Sequence, residues 1–261
     1  MTVRRQQHGP VCVVTIDRPE VRNAVDRATA EALESAIATA ETDADTRVVI
    51  LTGAAGTFCA GADLHALDDP VRRNRLERDL RGPMGPTRRH PAVPVIAAIE
   101  GHAVAGGLEL ALWCDLRVVA RDAVLGVFCR RVGVPLIDGG TVRLPRVVGL
   151  GVALDLILTG RAVDAEEAQR IGLATRIVDP GAALSTALEF ATQLAALPQI
   201  TLRADLASAR AAFDRPLPEA LLAEHDGGMA AIGAGGMLEG VRRFQAGEGR
   251  HGQELEVPPT A

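Results

Sequence analysis

The sequence predicts an α/β fold with a helical C-terminal layer. Short β-branched runs alternate with amphipathic stretches through the first two-thirds of the chain, and two of these runs end in glycine-rich loops. The last third is rich in Ala and Leu and has few strand-forming runs. Alternating strands and helices are typical of a mostly parallel sheet covered by helices. The 261 residues are enough for one large domain with its own core, with or without a small appendage.

The first elements follow from hydrophobic periodicity. Val11–Ile16 is short, apolar and β-branched, which predicts a strand. Residues 27–41 carry apolar side chains at helical spacing and predict an amphipathic helix. Residues 47–51 (RVVIL) are continuously apolar after Arg47, typical of a buried strand, and lead into a glycine-rich loop over residues 52–64.

The middle of the chain repeats this pattern after a charged interruption. Residues 70–90 are rich in arginine and contain two Gly-Pro pairs, so we expect a mobile helix and loop. Residues 93–99 predict a third strand, residues 100–107 a second glycine-rich loop, and residues 108–114 a short helix.

The remaining elements complete the core. Leu116–Ala120 and residues 124–127 predict strands, and the glycine turn 138–140 precedes a helical stretch. Residues 164–167 form an acidic capping box that opens a helix, which Gly172 ends. From Gly181 onward the sequence is nearly all helical.

Composition excludes several classes of function. Aromatic residues make up 2% of the chain and the net charge is −5, which argues against nucleic-acid binding. No apolar run approaches the length of a membrane span, and the N-terminus lacks the apolar region of a secretory signal. The four cysteines match no zinc spacing, so we expect reduced thiols, a cytoplasmic protein and no bound metal.

The two glycine-rich loops indicate a site for a carbonyl oxygen. Neither loop has the spacing of a nucleotide-binding motif. Glycine allows backbone to approach a ligand closely, and two N–H groups aimed at one oxygen would stabilise an oxyanion. One such donor contributes about 2.7–4 kcal/mol to catalysis in other enzymes. A helix that begins at Gly106 or Gly107 would add the positive end of its dipole.

Several segments match one enzyme family in register from residue 11 to residue 244. They are residues 18–24 (RPEVRNA), 53–64 (GAAGTFCAGADL), 101–110 (GHAVAGGLEL), 139–149 (GGTVRLPRVVG), 158–161 (LTGR) and 168–173 (AQRIGL). In these segments the chain resembles the crotonase, or enoyl-CoA hydratase/isomerase, superfamily. The resemblance implies a core of ββα spiral turns over residues 1–195 and a helical trimerisation region over residues 196–261. It also implies an acyl-CoA thioester substrate, no separate cofactor, and a homotrimer or dimer of trimers.

The resemblance also assigns roles to single positions. Ala62 and Gly106 match the two N–H donors of the family's oxyanion hole. Phe244 matches an aromatic residue near the CoA of a neighbouring subunit. The other positions implied to contact substrate or CoA are Val21, Arg22, Ala60, Asp63 and Leu64. Residues 67–86 and 128–136 are expected to shape the pocket beyond the carbonyl.

Glu109 matches the first of the two glutamates that resembling hydratases use. It lies three residues after Gly106, in the first turn of the predicted helix. The helix dipole alone would favour a glutamate there. A carboxylate within an otherwise apolar helix is costly without a purpose, so we favour a catalytic role.

The second glutamate of the hydratases is replaced by Cys129, four residues before Gly133. Arg130 and Arg131 are positioned to lower the pKa of this thiol, although a small buried apolar residue is the simpler interpretation. Asp138 is the nearest substitute carboxylate. Two interpretations of Asp138 stay open: a catalytic group that points into the pocket, and an N-cap of the following helix.

Hydration of a 2-enoyl-CoA is the reaction we expect. An enoyl-CoA isomerase, or another reaction of this superfamily that needs one carboxylate, is the alternative within the enzyme class. A non-catalytic acyl-CoA-binding protein on the same scaffold is the alternative outside it. A serine hydrolase is excluded, because the chain has no G-x-S-x-G motif.

Overall fold

The structure is a computed structural model that describes residues 1–78, 81–253 and 255. The strands are β1 (Val3–His8), β2 (Val11–Ile16), β3 (Val48–Gly53), β4 (Val95–Ile99), β5 (His102–Val104), β6 (Leu116–Ala120), β7 (Val124–Gly126), β8 (Ala162–Val163) and β9 (Arg176–Val178). The α-helices are α1 (Arg27–Thr42), α2 (Gly106–Trp113), α3 (Gly140–Val148), α4 (Leu150–Thr159), α5 (Ala165–Arg170), α6 (Ala183–Ala196), α7 (Gln199–Ala211), α8 (Leu217–Gly233) and α9 (Gly236–Gln245). The predicted α/β class is therefore confirmed.

The strands form two sheets. The larger has the order β1-β2-β3-β4-β6-β9; β1 pairs antiparallel with β2, and every other pairing in it is parallel. The smaller has the order β5-β7-β8. Parallel neighbours need a crossover between them, which explains why helices and loops separate the central strands in sequence.

Side chains that alternate along the central strands pack on the two faces of the larger sheet. Val49 and Leu51 join one core cluster with residues of α1 and α2, whereas Val48 and Ile50 join the second cluster. In that second cluster α6 contributes a row of alanines spaced by four residues: Ala183, Ala187, Ala191 and Ala195. These small side chains form one face of the helix, so α6 lies close against the sheet.

Local sequence signals account for the ends of several helices. The Asp26 side chain accepts a hydrogen bond from the Thr29 N–H and caps α1. The predicted capping box at residues 164–167 is confirmed in part, because Asp164 accepts a bond from the Glu167 N–H at 2.7 Å. α2 begins at Gly106, as expected.

The structure corrects three expectations about secondary structure. β1 was not predicted, because VRRQQH is polar and only its first residue is buried, as befits an edge strand. The loop predicted over residues 100–107 contains the short strand β5. Residues 70–90 contain no α-helix in their described part; the two Gly-Pro pairs prevent one, and a 3-10 turn forms at Pro86–Arg88.

The C-terminal part of the chain is helical, as predicted, with α7 packed on α8 and α8 on α9. Large apolar side chains on these helices face solvent in the single chain, among them Leu221, Met229, Leu238 and Phe244. None of the helices in the described ranges is long and apolar enough to cross a membrane.

Candidate active site

A cavity of about 460 Å³ opens where the loop after β3 meets the N-terminus of α2. Residues from both segments expected to shape the pocket line it, including Leu67, Leu76, Met84, Phe128 and Val132. The volume is within the range of small-molecule sites, and most of the lining is apolar.

The two glycine-rich loops are in contact at the floor of this cavity. Cys59 forms a parallel bridge with Ala103, and the Val104 N–H donates to the Cys59 carbonyl oxygen at 3.1 Å. A Cβ at position 107 would overlap that same carbonyl, so only glycine permits the approach. The sequence therefore brings the two predicted loops together by direct backbone packing.

Ala62 and Gly106, one from each loop, both line the cavity. Neither N–H donates a hydrogen bond to another group within the described part of the chain. Gly106 is the first residue of α2, where a backbone N–H has no partner inside the helix. Ala105 before it has φ of 53°, a conformation that costs a non-glycine residue about 1–3 kcal/mol. Two free donors and local strain at one cavity suit the binding of a negatively charged oxygen.

Glu109 lies in the first turn of α2, lines the cavity and is 4% exposed. Its Oε1 accepts hydrogen bonds from the backbone N–H groups of Asp138 and Gly140, each at 2.8 Å. No described residue donates to its other oxygen. Burial, together with the neighbouring charge of Asp138, raises the pKa of Glu109 to about 7. Glu109 can therefore both accept and donate a proton near neutral pH.

Asp138 also lines the cavity and is 3% exposed. The interpretation of Asp138 as an N-cap is wrong: Gly139 occupies the cap position of α3, and no side chain caps the helix. The Asp138 Oδ1 instead accepts hydrogen bonds from the Met84 N–H, at 3.0 Å, and from the Thr87 hydroxyl. Burial raises the pKa of Asp138, and these two donors oppose the rise.

Arg143 links the segments that carry Asp138 and Thr87. Its guanidinium donates to the backbone carbonyl oxygens of Asp138, at 2.9 Å, and Thr87. We call Glu109, Asp138, Thr87 and Arg143 the carboxylate cluster. Its members come from α2, from the turn before α3, from the 3-10 turn at Pro86–Arg88 and from α3.

Cys129 lines the cavity and is 4% exposed. The charge of Arg130 acts to lower the pKa of this thiol, as expected, but burial and the charge of Glu109 outweigh it, and the pKa is raised. The Arg131 guanidinium is occupied elsewhere, stacked 3.6 Å from the centre of the Phe128 ring. Cys129 is therefore a protonated thiol at neutral pH and presents a small, nearly apolar group to the cavity.

The positions expected to contact substrate or CoA are only partly at the cavity. Ala60 and Leu64 line it, and the Ala60 N–H donates to the carbonyl oxygen of Arg22, so residues 21 and 22 adjoin the same loop. The Asp63 carboxylate is buried and paired with Arg18 at 3.0 Å and with Arg72 at 3.4 Å.

Asp63 and Phe244 do not line the cavity of the single chain. The buried pairing of Asp63 makes it a support of the loop and not a lining residue. Phe244 lies on α9, is 57% exposed and is not part of the cavity lining. The expected contact of Phe244 with the CoA of a neighbouring subunit stays a prediction.

Sequence reasoning missed Thr87, Arg143 and the hydrogen bond of the Met84 N–H to Asp138. Thr87 and Met84 lie in the segment expected to be mobile, where no periodicity gives their direction. The one signal was the repeated Gly-Pro pair at residues 82–83 and 85–86, which predicts a tight turn beside them. Within the described residues, no cluster of three or more His, Cys, Asp or Glu side chains is arranged to hold a metal ion.

Comparison with known proteins agrees with this geometry. The chain matches the enoyl-CoA hydratase/isomerase family over residues 6–246. (E)-Benzylidenesuccinyl-CoA hydratase from Thauera aromatica is 35% identical over 228 residues, or 86% of this chain and 88% of that protein. Short-chain-enoyl-CoA hydratase from Clostridium acetobutylicum is 38% identical over 194 residues, or 72% of this chain and 73% of that protein.

The solved structures give the same result. Enoyl-CoA hydratase EchA1 from Mycobacterium marinum superposes with a TM-score of 0.89 at 35% identity, over 94% of this chain and 96% of that one. An enoyl-CoA hydratase from Mycobacterium tuberculosis superposes with a TM-score of 0.89 at 33% identity, over 94% and 96%. The resemblance extends through the spiral core and the helical C-terminal region, and the chain belongs to the enoyl-CoA hydratase/isomerase family.

Proposed function

We propose that this enzyme hydrates a 2-enoyl-CoA thioester. The observation that carries the proposal is the placement of a buried, half-ionised Glu109 beside two free N–H donors, those of Ala62 and Gly106, in one apolar cavity. The thioester carbonyl oxygen accepts from both N–H groups. This polarises the double bond and makes its β-carbon electrophilic.

The reaction then proceeds by addition and protonation. Water adds its oxygen to Cβ and loses a proton to a carboxylate, while the double-bond electrons move onto the carbonyl oxygen as an enolate. A carboxylic acid delivers a proton to Cα, and the carbonyl re-forms. We assign these two transfers to the pair Glu109 and Asp138, which together supply the base and the acid that hydration needs.

CoA is carried by the substrate, and we propose no separate cofactor. We expect Val21, Arg22, Ala60, Asp63 and Leu64 to form the CoA side of the site. For Asp63 this role is indirect, through the loop that its ion pairs hold. The four cysteines are all free and buried, which supports a reducing, cytoplasmic location.

We also propose assembly into a homotrimer or a dimer of trimers through residues 196–261. The exposed apolar side chains of α8 and α9 support this, because a monomer rarely leaves so many uncovered. In such an assembly Phe244 would reach the CoA of a neighbouring subunit. Sedimentation equilibrium tests the proposal, and a monomer at micromolar concentration would contradict it.

Glu109→Gln tests the hydratase assignment. The amide keeps the size of the side chain and an oxygen for the two N–H donors, but it cannot transfer a proton. We expect kcat for crotonyl-CoA hydration to fall by about 10²–10⁴-fold with KM little changed. Unchanged turnover would refute the assignment. Tight acyl-CoA binding by a wild-type protein that converts no enoyl-CoA would instead identify a non-catalytic binding protein.

An enoyl-CoA isomerase is the second candidate, and one observation favours it. Cys129 occupies the position of the hydratases' second glutamate, and its thiol stays protonated. A single carboxylate can carry a proton between two carbons of the same substrate. Conversion of a 3-enoyl-CoA to the 2-enoyl-CoA faster than hydration of the 2-enoyl-CoA would establish this alternative.

A further inference from the structure

The carboxylate of Asp138 lies within a tight turn of residues 82–87. Gly82 and Gly85 exchange two backbone hydrogen bonds, at 3.0 and 2.9 Å, and this closes the turn. A Cβ at position 82 would lie 2.7 Å from the Asp138 Oδ1 and would overlap the Thr87 hydroxyl. The turn therefore fits closely around one carboxylate oxygen, and its Met84 N–H and Thr87 hydroxyl both donate to that oxygen.

The two carboxyl groups of the site are equally buried but accept hydrogen bonds from different kinds of donor. Within the described residues, Glu109 accepts only from backbone N–H groups, one of which belongs to Asp138 itself. Asp138 accepts from a backbone N–H and also from a hydroxyl, which is free to turn its proton toward a charged oxygen. Protonation of the Asp138 Oδ1 would weaken both of those bonds.

The arginines near the pair favour ionised carboxylates, and two of them act on Asp138. Arg88 and Arg143 favour the ionised form of Asp138, and Arg143 also faces Glu109. The Cys129 thiol is the remaining titratable neighbour of Glu109, and it is neutral near pH 7. Two adjacent buried carboxylates do not both ionise readily, so one proton stays on the pair. Each carboxylate accepts two hydrogen bonds, but Asp138 has the adjustable hydroxyl donor and the charges of both Arg88 and Arg143, so the proton stays on Glu109.

We propose that Thr87 is a positioning residue whose hydroxyl keeps Asp138 ionised and so places the shared proton on Glu109. The consequence for catalysis rests on the proposed function. Asp138 takes the proton from water as its oxygen bonds to Cβ, and Glu109 gives its proton to Cα. After the product forms, the proton on Asp138 passes back to Glu109, and the pair returns to its starting state.

A titration of the free protein tests this assignment without reference to turnover. Infrared difference spectra follow the C=O stretch of buried protonated carboxyl groups as pH changes. In the wild type we expect one such group with a midpoint of about 7, and we expect Glu109→Gln to lack it. In Thr87→Val the Asp138 midpoint should rise by about one unit or more, because a hydrogen bond to a charge is lost.

Thr87→Ser is the matched control, since it keeps the hydroxyl and should titrate as the wild type does. A Thr87→Val titration identical to the wild type would overturn the proposal, as would a near-neutral band that survives in Glu109→Gln. If Thr87→Val fails to fold, Thr87→Ala, which also removes the hydroxyl, gives the same decision. Asp138→Asn tests the shared proton itself. Loss of the neighbouring charge should lower the Glu109 midpoint below that of the wild type, and an unchanged midpoint would refute the shared proton.

The pH dependence of turnover connects the assignment to the reaction. The acid limb of kcat/KM should move to higher pH in Thr87→Val and return in Thr87→Ser. An equal loss at every pH would show that Thr87 serves the fold alone. If the wild type converts no enoyl-CoA, the proposed function fails, whereas the infrared titration still decides whether Thr87 sets the proton's position.

Discussion

Glu109 should make the stability of the folded protein depend on pH, and Glu109→Gln should remove that dependence. In the folded state the pKa of Glu109 is about 7, compared with 4.5 for a solvated glutamate. Between these values the folded chain keeps a proton that the unfolded chain has released. The free energy of unfolding therefore falls as pH rises through this window.

The size of the effect follows from the two pKa values. Their difference corresponds to roughly 3 kcal/mol between the two protonation states. The loss of stability caused by ionising Glu109 is absent below the pKa of the unfolded state. It reaches its full size well above pH 7. The glutamine variant does not titrate at this position. From about pH 5 to about pH 8 its stability should therefore gain about 2–3 kcal/mol relative to the wild type.

Urea unfolding of both proteins at several pH values measures this difference. All samples need the same protein concentration, because assembly would make stability depend on concentration. Other titrating groups largely cancel between the two proteins, although Asp138 is coupled to Glu109 and will shift somewhat. A stability difference that stays constant from acid to alkaline pH would refute the conclusion that the buried Glu109 carries a proton near neutrality.

Three further substitutions test other parts of the structure. Gly106→Ala brings a Cβ to 2.9 Å from the sulfur of the flexible Met84 side chain. We expect the protein to fold, but kcat should fall by about 10²-fold because the Gly106 N–H shifts. The control Gly151→Ala has open space around it and should leave kcat unchanged. Ala105→Gly removes the strain of a positive φ and should raise the free energy of unfolding by about 1 kcal/mol in denaturant titrations; a loss of stability would show that Ala105 is not strained. Asp164→Ala removes the cap of α5 and should lower stability by about 1 kcal/mol, a cost that Asp164→Asn should largely avoid.

The parts of the fold that depend on local pattern could be predicted from the sequence. β2, α1, β3 and β4 have apolar runs whose period or length identifies their type, and their observed ends differ from expectation by a few residues at most. β1 and β9 could not be identified in this way. Polar or short edge strands are specified by pairing with a neighbour and not by their own composition.

The same distinction applies to the site. Glu109, Ala62 and Gly106 belong to recognisable motifs, and the structure places all three at one cavity. The environment of Asp138 could not be read from the sequence, because its two donors lie about fifty residues away in a segment without periodicity. Its burial at the turn of residues 82–87 depends on contacts between segments that are distant in sequence. The protonation of Cys129 also depends on the folded structure, since Arg131 stacks on Phe128 and burial outweighs the charge of Arg130.

The alanine row on α6 makes the two faces of the sheet unequal in their tolerance of substitution. On the face that leads to the cavity, the buried side chains range in size from alanine to tryptophan. On the α6 face, a larger residue at position 187 or 191 would overlap the sheet, because these alanines are fully buried against it. We expect the helix to shift as a rigid body to make room. That movement would be transmitted through β3 and β4 to the loops that begin at their ends. We therefore expect substitutions at these alanines to shift the loops that line the cavity, although none of the four alanines lines it.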